Sequence, residues 1–178
     1  MNNNREEDRR QKLIRQIKKD IFIKLFVFAA GFFVTFTFIF GVALAPTNDM
    51  FPAIHEGDVI LYFRPGGLAG SDIAYYEAEG AANIGRVQAA EGVRVDQTEG
   101  GLLRINGNIQ PIQERAGLYY KTYIREGGRL EYPSAVPAGC YLILGDERGC
   151  AKDSRDYGYI PREDIKGKIF TIIRRRPL

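Results

Sequence analysis

The most apolar part of the chain is an uncharged run at residues 25–44, LFVFAAGFFVTFTFIFGVAL. A helix of about 20 apolar residues is long enough to cross roughly 30 Å of hydrocarbon. The pattern therefore predicts one transmembrane helix, to which we assign residues 21–45. A buried core helix is a competing interpretation, but the rest of the chain is too short to surround this run on every side.

A cleaved secretory signal is another interpretation, because Ala43-Leu44-Ala45 has the small–x–small form of a cleavage site. The run is longer than the apolar region of a typical signal, which has roughly 7 to 15 residues. Pro46 would also follow the cut, where its restricted backbone is poorly tolerated. We therefore predict that the run is kept as an anchor.

Basic charge is concentrated ahead of this run. Residues 1–20 hold seven Lys or Arg and four Asp or Glu, which equals the formal net charge of +3 of the whole chain. The positive-inside bias then predicts a single-pass protein of the cell membrane, with residues 1–20 in the cytoplasm and residues 46–178 outside. Residues 46–178 hold 17 basic and 18 acidic residues, a balance that excludes nucleic acid as a partner.

Beyond the anchor, the pattern is that of short strands separated by glycine-rich turns. We predict a mainly β domain, with neighbouring first and second strands around Pro65-Gly66-Gly67 and a tight hairpin turn at Asn106-Gly107. The frequent breaks argue against a long helix outside the membrane. The predicted strands are residues 59–63, 73–76, 93–95, 103–105, 141–144 and 165–173.

The segment NDMFPAIHEGDV at residues 48–59 resembles the nucleophile box of type I signal peptidases, Ser-Met-x-Pro-Thr-Leu-x-x-Gly-Asp-x-Val. Met50, Pro52 and Gly57-Asp58 match at the same spacing. Asp49 stands where the family has its serine.

Later segments resemble the family in the same order along the chain. They are SDIAYY at 71–76, IGRV at 84–87, LRING at 103–107 and a last box at 145–168, with matches at Gly145, Asp146, Arg148, Asp153, Ser154, Arg155, Gly158, Gly167 and Lys168. The resemblance implies the complex β-fold of a signal peptidase for the extracellular domain. It also implies that the matching residues from Gly57 to Arg155 are a structural motif.

Three positions depart from the family's pattern. The resemblance aligns Asp49 with the serine nucleophile, Gly85 with the lysine general base and Ala151 with the serine that orients the lysine. A serine needs a nearby base, and Gly85 has no side chain to provide one. We therefore expect a homologue that lacks the Ser–Lys dyad and is not an enzyme. An aspartic dyad would need a second carboxylate, and Asp146 and Asp153 are candidates only by their charge.

A groove that no longer cuts can still bind, and the resemblance implies a cleft that holds an extended peptide by strand addition. Asp49 is either a solvated turn residue or a negative charge offered to a lysine or another amine of a partner. The candidate cleft residues are Thr47, Asn48, Asp49, Met50, Pro52, Ile84, Gly85 and Arg86.

The pairing of Asp49 with Gly85 resembles the branch of the family that is encoded with Gram-positive pilus genes. The expected function is that of a chaperone-like accessory, which binds pilin subunits and a pilus-specific sortase and supports sortase-mediated pilus polymerisation. Two alternatives stay open. One is an active membrane-bound protease with an atypical mechanism, and the other is a sortase-recruiting scaffold that uses the tyrosine-rich stretch 117–132.

We expect no cofactor and no metal site. Cys140 and Cys150 are the only cysteines, and no histidine near them completes the four ligands of a zinc site. An extracellular pair at this spacing is compatible with a disulfide. The sequence leaves open whether the disulfide forms.

Overall fold

The computed structural model describes residues 3–110, 121–122 and 125–174. The stretch 117–132 therefore lies partly outside the described residues. The chain divides into two compact units, residues 1–39 and 40–178. The helices and strands of the two units are α1 (Asn3–Val34), a π-helical turn (Thr35–Ile39), β1 (Phe40–Leu44), β2 (Val59–Phe63), β3 (Ile73–Ala78), β4 (Ala81–Ala90), β5 (Arg94–Gln97), β6 (Leu103–Ile105), β7 (Asn108–Ile109), β8 (Ser134–Ala135), β9 (Cys140–Leu144), α2 (Ser154–Tyr157), β10 (Ile160–Pro161), a 3-10 turn (Arg162–Asp164) and β11 (Ile165–Ile173).

One helical segment, at residues 9–39, is long and apolar enough to cross a membrane. At about 1.5 Å per residue, residues 21–39, which are apolar apart from Lys24, rise roughly 28 Å, close to the thickness of the hydrocarbon. The apolar run continues past the helix, because Phe40–Leu44 is strand β1. The helical part is thus shorter than the predicted anchor of residues 21–45, and the last residues of the run belong to the folded domain.

Residues 40–178 form a mainly β domain, as predicted. Its larger sheet has seven strands in the order β1-β2-β11-β3-β4-β9-β10. The predicted strands at 59–63 and 165–173 coincide with β2 and β11. The prediction that the first two strands are neighbours is wrong, because β11 lies between β2 and β3. A pairing over about a hundred residues leaves no local signal in the sequence.

The smaller sheet has four strands in the order β7-β6-β5-β8. β5 and β6 pair antiparallel, and Asn106-Gly107 turns the chain from β6 into β7. Both turn residues have positive φ, 48° and 83°, which is the backbone of the tight hairpin turn that the Asn-Gly pair predicts.

At its β1 edge the larger sheet buries one face and exposes an apolar surface on the other. Inward side chains such as Ile60, Tyr62 and Ile169 pack with Met50 and Ile54 in one core cluster. A bulge in β11 lies between Ile169 and Thr171, at Phe170. The opposite, exposed face, which we call the outer apolar face, is formed by Phe40, Val42, Leu44, Phe63, Phe170 and Ile173.

Three phenylalanines form the centre of the outer apolar face. The Phe40 ring lies 5.5 Å from the Phe63 ring and 5.7 Å from the Phe170 ring, measured between centroids. Phe170 remains 50% exposed. A contiguous apolar surface of this kind in a soluble domain marks a contact with another apolar body. Because Phe40 directly follows the apolar helix, we expect that body to be the bilayer.

The chain has no tryptophan, so a single Phe170→Trp substitution gives one fluorescent reporter on the outer apolar face. In nanodiscs that contain brominated lipid, we expect bromine to quench this tryptophan because it touches the acyl chains. Ile109→Trp is the matched control, since Ile109 is also apolar and 52% exposed but lies on the smaller sheet. Equal quenching of the two reporters would contradict lipid contact by this face.

Candidate functional site

The segment between β1 and β2 is a compact loop closed by backbone hydrogen bonds. The Ala45 N–H donates to the Asp58 carbonyl at 2.8 Å, and the Gly57 N–H donates to the Ala45 carbonyl at 2.9 Å. Asp58, which is 3% exposed, accepts the His55 N–H at 3.0 Å. Gly57 has a φ of 83°, which favours glycine. The Gly57-Asp58 motif therefore shapes the loop that carries Asp49.

Asp49 lies at the centre of this loop and is only 9% exposed. Its carbonyl accepts the Glu147 N–H at 2.9 Å, so the loop is tied to the segment that follows β9. Its own N–H lies 3.4 Å from the Thr47 hydroxyl. Asn48 and Phe51 on either side are exposed. The carboxyl group is thus held just beneath the surface.

The Asp49 carboxyl group has too few hydrogen-bond partners to offset its loss of water on burial. Its Oδ2 atom is buried and has no hydrogen-bond partner. Burial raises the pKa of this carboxyl above its ordinary value, and the charge of Asp153 adds to the increase. Thr47, the backbone N–H of Lys152 and the charge of Arg125 lower the pKa by less. A buried carboxylate without a full set of partners is costly, and such groups are found at functional sites.

Gly85 lies in β4, paired with Ala74 of β3, and its side-chain direction is already occupied. A Cβ atom at this position would lie 2.6 Å from Cγ2 of Ile143 and 3.3 Å from the Leu144 carbonyl oxygen. The fully buried Ile143 side chain therefore fills the space that a side chain at position 85 would enter.

Ala151, the third departing position, is fully buried against the end of β9. A Cβ atom on Gly145 would meet the Ala151 methyl group at 2.3 Å and the Asp49 carbonyl at 2.8 Å. Gly145 therefore has to be a glycine, because two chain segments pass close to its Cα atom. The structure brings Asp49, Gly85 and Ala151 together around Leu144 and Gly145. We call this group, with Thr47, the Asp49 site.

A buried ion pair between Asp153 and Arg155 lies next to the Asp49 site and holds Gly145 in place. Asp153 is 0% exposed and accepts two hydrogen bonds of 2.9 Å from the Arg155 guanidinium. Its Oδ2 also accepts the Gly145 N–H at 3.0 Å. Ser154, likewise buried, accepts the Ile143 N–H through its hydroxyl at 3.0 Å. These three residues join the short helix α2 to β9.

Arg86 and Asp146 form a second pair, at the edge of the Asp49 site. The Nε and Nη2 atoms of Arg86 donate to the two carboxylate oxygens of Asp146 at 2.9 and 2.6 Å. Arg148 donates to the Thr122 hydroxyl at 2.9 Å. Burial lowers the pKa of Arg148 to about 10.

The remaining candidate cleft residues divide into two groups. Met50 and Ile84 are buried in the same core cluster, so their side chains pack and do not line an open surface. Thr47, Asn48 and Pro52 are exposed or half-buried. The thiols of Cys140 and Cys150 are both free.

Sequence reasoning missed Ile143, Tyr76 and Arg125. Ile143 and Tyr76 are ordinary apolar and aromatic strand residues, and only the sheet register shows that they face Gly85 and its neighbours. Arg125 donates to Asp156 at 3.0 Å and to the Ala151 carbonyl at 2.6 Å. It lies far from any recognised motif, and no signal in the sequence marks it.

Residues 18–173 match the sequence model of the family described as "Signal peptidase, peptidase S26". The chain belongs to this signal peptidase family. "Signal peptidase I" of Leptolyngbya laminosa is 30% identical over 148 residues, which are 74% of this chain and 68% of the relative. "Signal peptidase IB" of Staphylococcus aureus (strain COL) is 27% identical over 175 residues, 86% of this chain and 89% of the relative.

Among solved structures, a signal peptidase I from Enterococcus faecalis V583 is similar at a TM-score of 0.45 and 20% sequence identity. The match covers 60% of this chain and 98% of that chain.

The prediction that the chain is not an enzyme is contradicted by these relatives, which are named as signal peptidases. It relied on the side chains at positions 49, 85 and 151. The correspondence of those three positions to a serine, a lysine and an orienting serine came from the resemblance alone. The match over residues 18–173 is the broader observation.

We expect Gly85→Ala to destabilise this signal peptidase-family domain by about 1–3 kcal/mol, because the new methyl group overlaps Ile143. In an Ile143→Ala background the same change should cost much less, since the overlapping atom is gone. The measurement is the free energy of unfolding of the four proteins of this cycle. Gly70→Ala is the control, because a Cβ atom on Gly70 meets nothing within 4 Å. An equal cost in both backgrounds would show that Ile143 is not the obstacle.

Asp49→Asn should stabilise the protein at neutral pH and lose this effect in acid. Because the pKa of Asp49 is raised on folding, the folded chain holds the proton more tightly than the unfolded chain. Wild-type stability therefore falls as the pH rises from the ordinary value of 3.8 to the raised value. The maximum slope is about 1.4 kcal/mol per pH unit.

The measurement is the difference in unfolding free energy between wild type and Asp49→Asn over a pH series. Other titrating groups are common to both proteins and cancel. A difference that does not change with pH would show that Asp49 has an ordinary pKa.

Proposed function

We propose that this signal peptidase-like protein works at the outer surface of the cell membrane, where the Asp49 site binds an extended segment of an exported protein. The observation that carries the proposal is the Asp49 carboxyl group, whose Oδ2 atom is buried without a partner. Folding holds this group in place at an energetic cost, and a bound segment that supplies a hydrogen-bond donor or a positive charge offsets that cost.

The proposed topology places residues 1–20 in the cytoplasm and the β domain outside. It is supported by the basic residues ahead of the apolar helix and by the length of that helix. The outer apolar face supports a domain that rests on the bilayer, since an aqueous position would leave its phenylalanines in water.

The proposed clients are pilin subunits, and the proposed partner is a pilus-specific sortase on a Gram-positive cell surface. Their support is the resemblance of the Asp49–Gly85 combination to the pilus-associated branch of the family. In this role the protein assists sortase-mediated pilus polymerisation by presenting a pilin segment close to the membrane.

A second candidate function is hydrolysis of a peptide bond by a mechanism other than Ser–Lys. The names of the relatives favour it. So does the raised pKa of Asp49, because a carboxyl group that keeps its proton closer to neutral pH can act as a general acid or base. Peptides with Ala-x-Ala sites, incubated with the full chain in nanodiscs and followed by mass spectrometry, test it against Asp49→Asn.

In a pilus-bearing host, deletion of the gene should block pilus polymers while pilins are still secreted. A photocrosslinking amino acid at position 48, exposed beside Asp49, should form an adduct with a pilin or the sortase. Position 99, exposed on the smaller sheet's side of the domain, is the control and should form none.

Normal polymers in the deletion strain would remove the pilus role. If the deletion strain makes no polymers but crosslinked adducts form only at position 99, the partner binds a surface away from Asp49. That result would favour the sortase-recruiting scaffold. Peptide products that disappear with Asp49→Asn would favour the second candidate function.

A further inference from the structure

The charges around Asp49 leave its carboxylate without a cation of its own. Of the described residues, Arg125 is the cation whose charge lowers the pKa of Asp49. Its guanidinium is committed elsewhere, since Nη1 donates to Asp156 at 3.0 Å and Nη2 to the Ala151 carbonyl at 2.6 Å. Lys152 is exposed and contributes its backbone N–H to Asp49.

Asp153 and Asp156, two other acidic residues near Asp49, are already paired. Asp153 is neutralised by Arg155 in a pair that is almost fully buried, and Asp156 is paired with Arg125. Gly85 has no side chain that could bring a positive charge from β4. Unlike Asp153 and Asp156, Asp49 therefore forms no ion pair among the described residues.

A second buried group near Asp49 also has no partner. The Tyr76 hydroxyl is completely buried and has no hydrogen-bond partner. Burial raises the pKa of Tyr76, and the charges of Asp153 and Asp49 raise it further. The interior beside Asp49 thus holds unpaired polar groups and an excess of negative charge, which is an environment that a cationic donor would stabilise.

We propose that Asp49 is the receptor for a primary ammonium group on the bound segment, a lysine side chain or a free amino terminus. This inference rests on the proposed function, because it names the group that the Asp49 site recognises. The ammonium donates a hydrogen bond to Asp49 Oδ2 and neutralises its charge. No bond is made or broken.

Ammonium fits this position better than guanidinium. It is a compact charge on a thin, flexible stem, so it can reach an acceptor that lies just beneath the surface. The planar guanidinium needs a wider opening and bonds best to two oxygens at once, whereas Asp49 has one free oxygen. The Thr47 hydroxyl, beside Asp49, is a second acceptor for the three ammonium protons.

The direct probe is n-butylammonium, added to the full chain in nanodiscs with the aspartate carboxyl carbons labelled with ¹³C. Asp49→Asn identifies the Asp49 signal by its loss. We expect a saturable shift of that signal with n-butylammonium, and none with 1-butanol or with sodium chloride at the same ionic strength. Tetramethylammonium, which has charge but no N–H donor, should bind at least tenfold more weakly.

No shift with n-butylammonium, or an equal shift with tetramethylammonium, would overturn the inference. A second arm uses the segment captured by crosslinking at position 48. Replacing each of its lysines with glutamine, and acetylating its amino terminus if that is free, should abolish capture at one of these amines. Capture unaffected by all of these changes would remove the ammonium receptor and leave the proposed function standing. If n-butylammonium binds but no segment is captured at position 48, the ammonium receptor would stand and the proposed function would fall.

Discussion

The position of the candidate site depends on one buried carboxylate. Asp153 is fully buried, and its carboxylate accepts hydrogen bonds from the Arg155 guanidinium, from the backbone N–H of Arg155 and from the backbone N–H of Gly145. A buried ion pair is weak support for stability in itself, because desolvation offsets much of the attraction. Its effect here is geometric. It fixes the end of β9 against α2, and Gly145 at that end is where the Asp49 loop docks.

The docking of the Asp49 loop against Gly145 explains why side chains around Asp49 are small. Gly145 is enclosed by the Ala151 methyl group and the Asp49 carbonyl, and Gly85 is enclosed by Ile143. Three chain segments therefore meet at backbone distance, and the carboxyl of Asp49 is the charged group left at their junction. Its raised pKa follows from this crowding, because burial removes water and the neighbouring arginines are engaged with other acceptors.

Much of the architecture was predictable because its signals are local. The uncharged run predicted the apolar helix, β2 and β11 were predicted with the observed bounds, and Asn106-Gly107 predicted its turn. The end of the helix was not, because Phe40–Leu44 is as apolar as the residues before it and pairs with β2 only in the fold. The order of strands also escaped, since β11 enters between β2 and β3 from the far end of the chain.

For the site, the resemblance assigned Asp49, Gly85 and Ala151 to positions that act together in the family, and the three residues lie close together in the structure. What spacing could not show was the packing partner of Gly85 or the orphaned hydroxyl of Tyr76, because both depend on neighbours in the sheet. The conclusion about enzymatic activity failed for a related reason. The conclusion was based on three side chains and one catalytic mechanism, whereas the family match covers residues 18–173.

The contact between Gly85 and Ile143 also limits the order in which this site can change during evolution. Any residue with a side chain at position 85 first meets Cγ2 of Ile143 at 2.6 Å. Such a substitution is penalised unless position 143 has already become smaller, and a smaller residue at 143 leaves a cavity while position 85 is still glycine. Each single step is therefore unfavourable, whereas the two changes together offset part of each other's cost. Packing between positions 85 and 143 thus opposes change at either position, separately from any selection on the chemistry of the site.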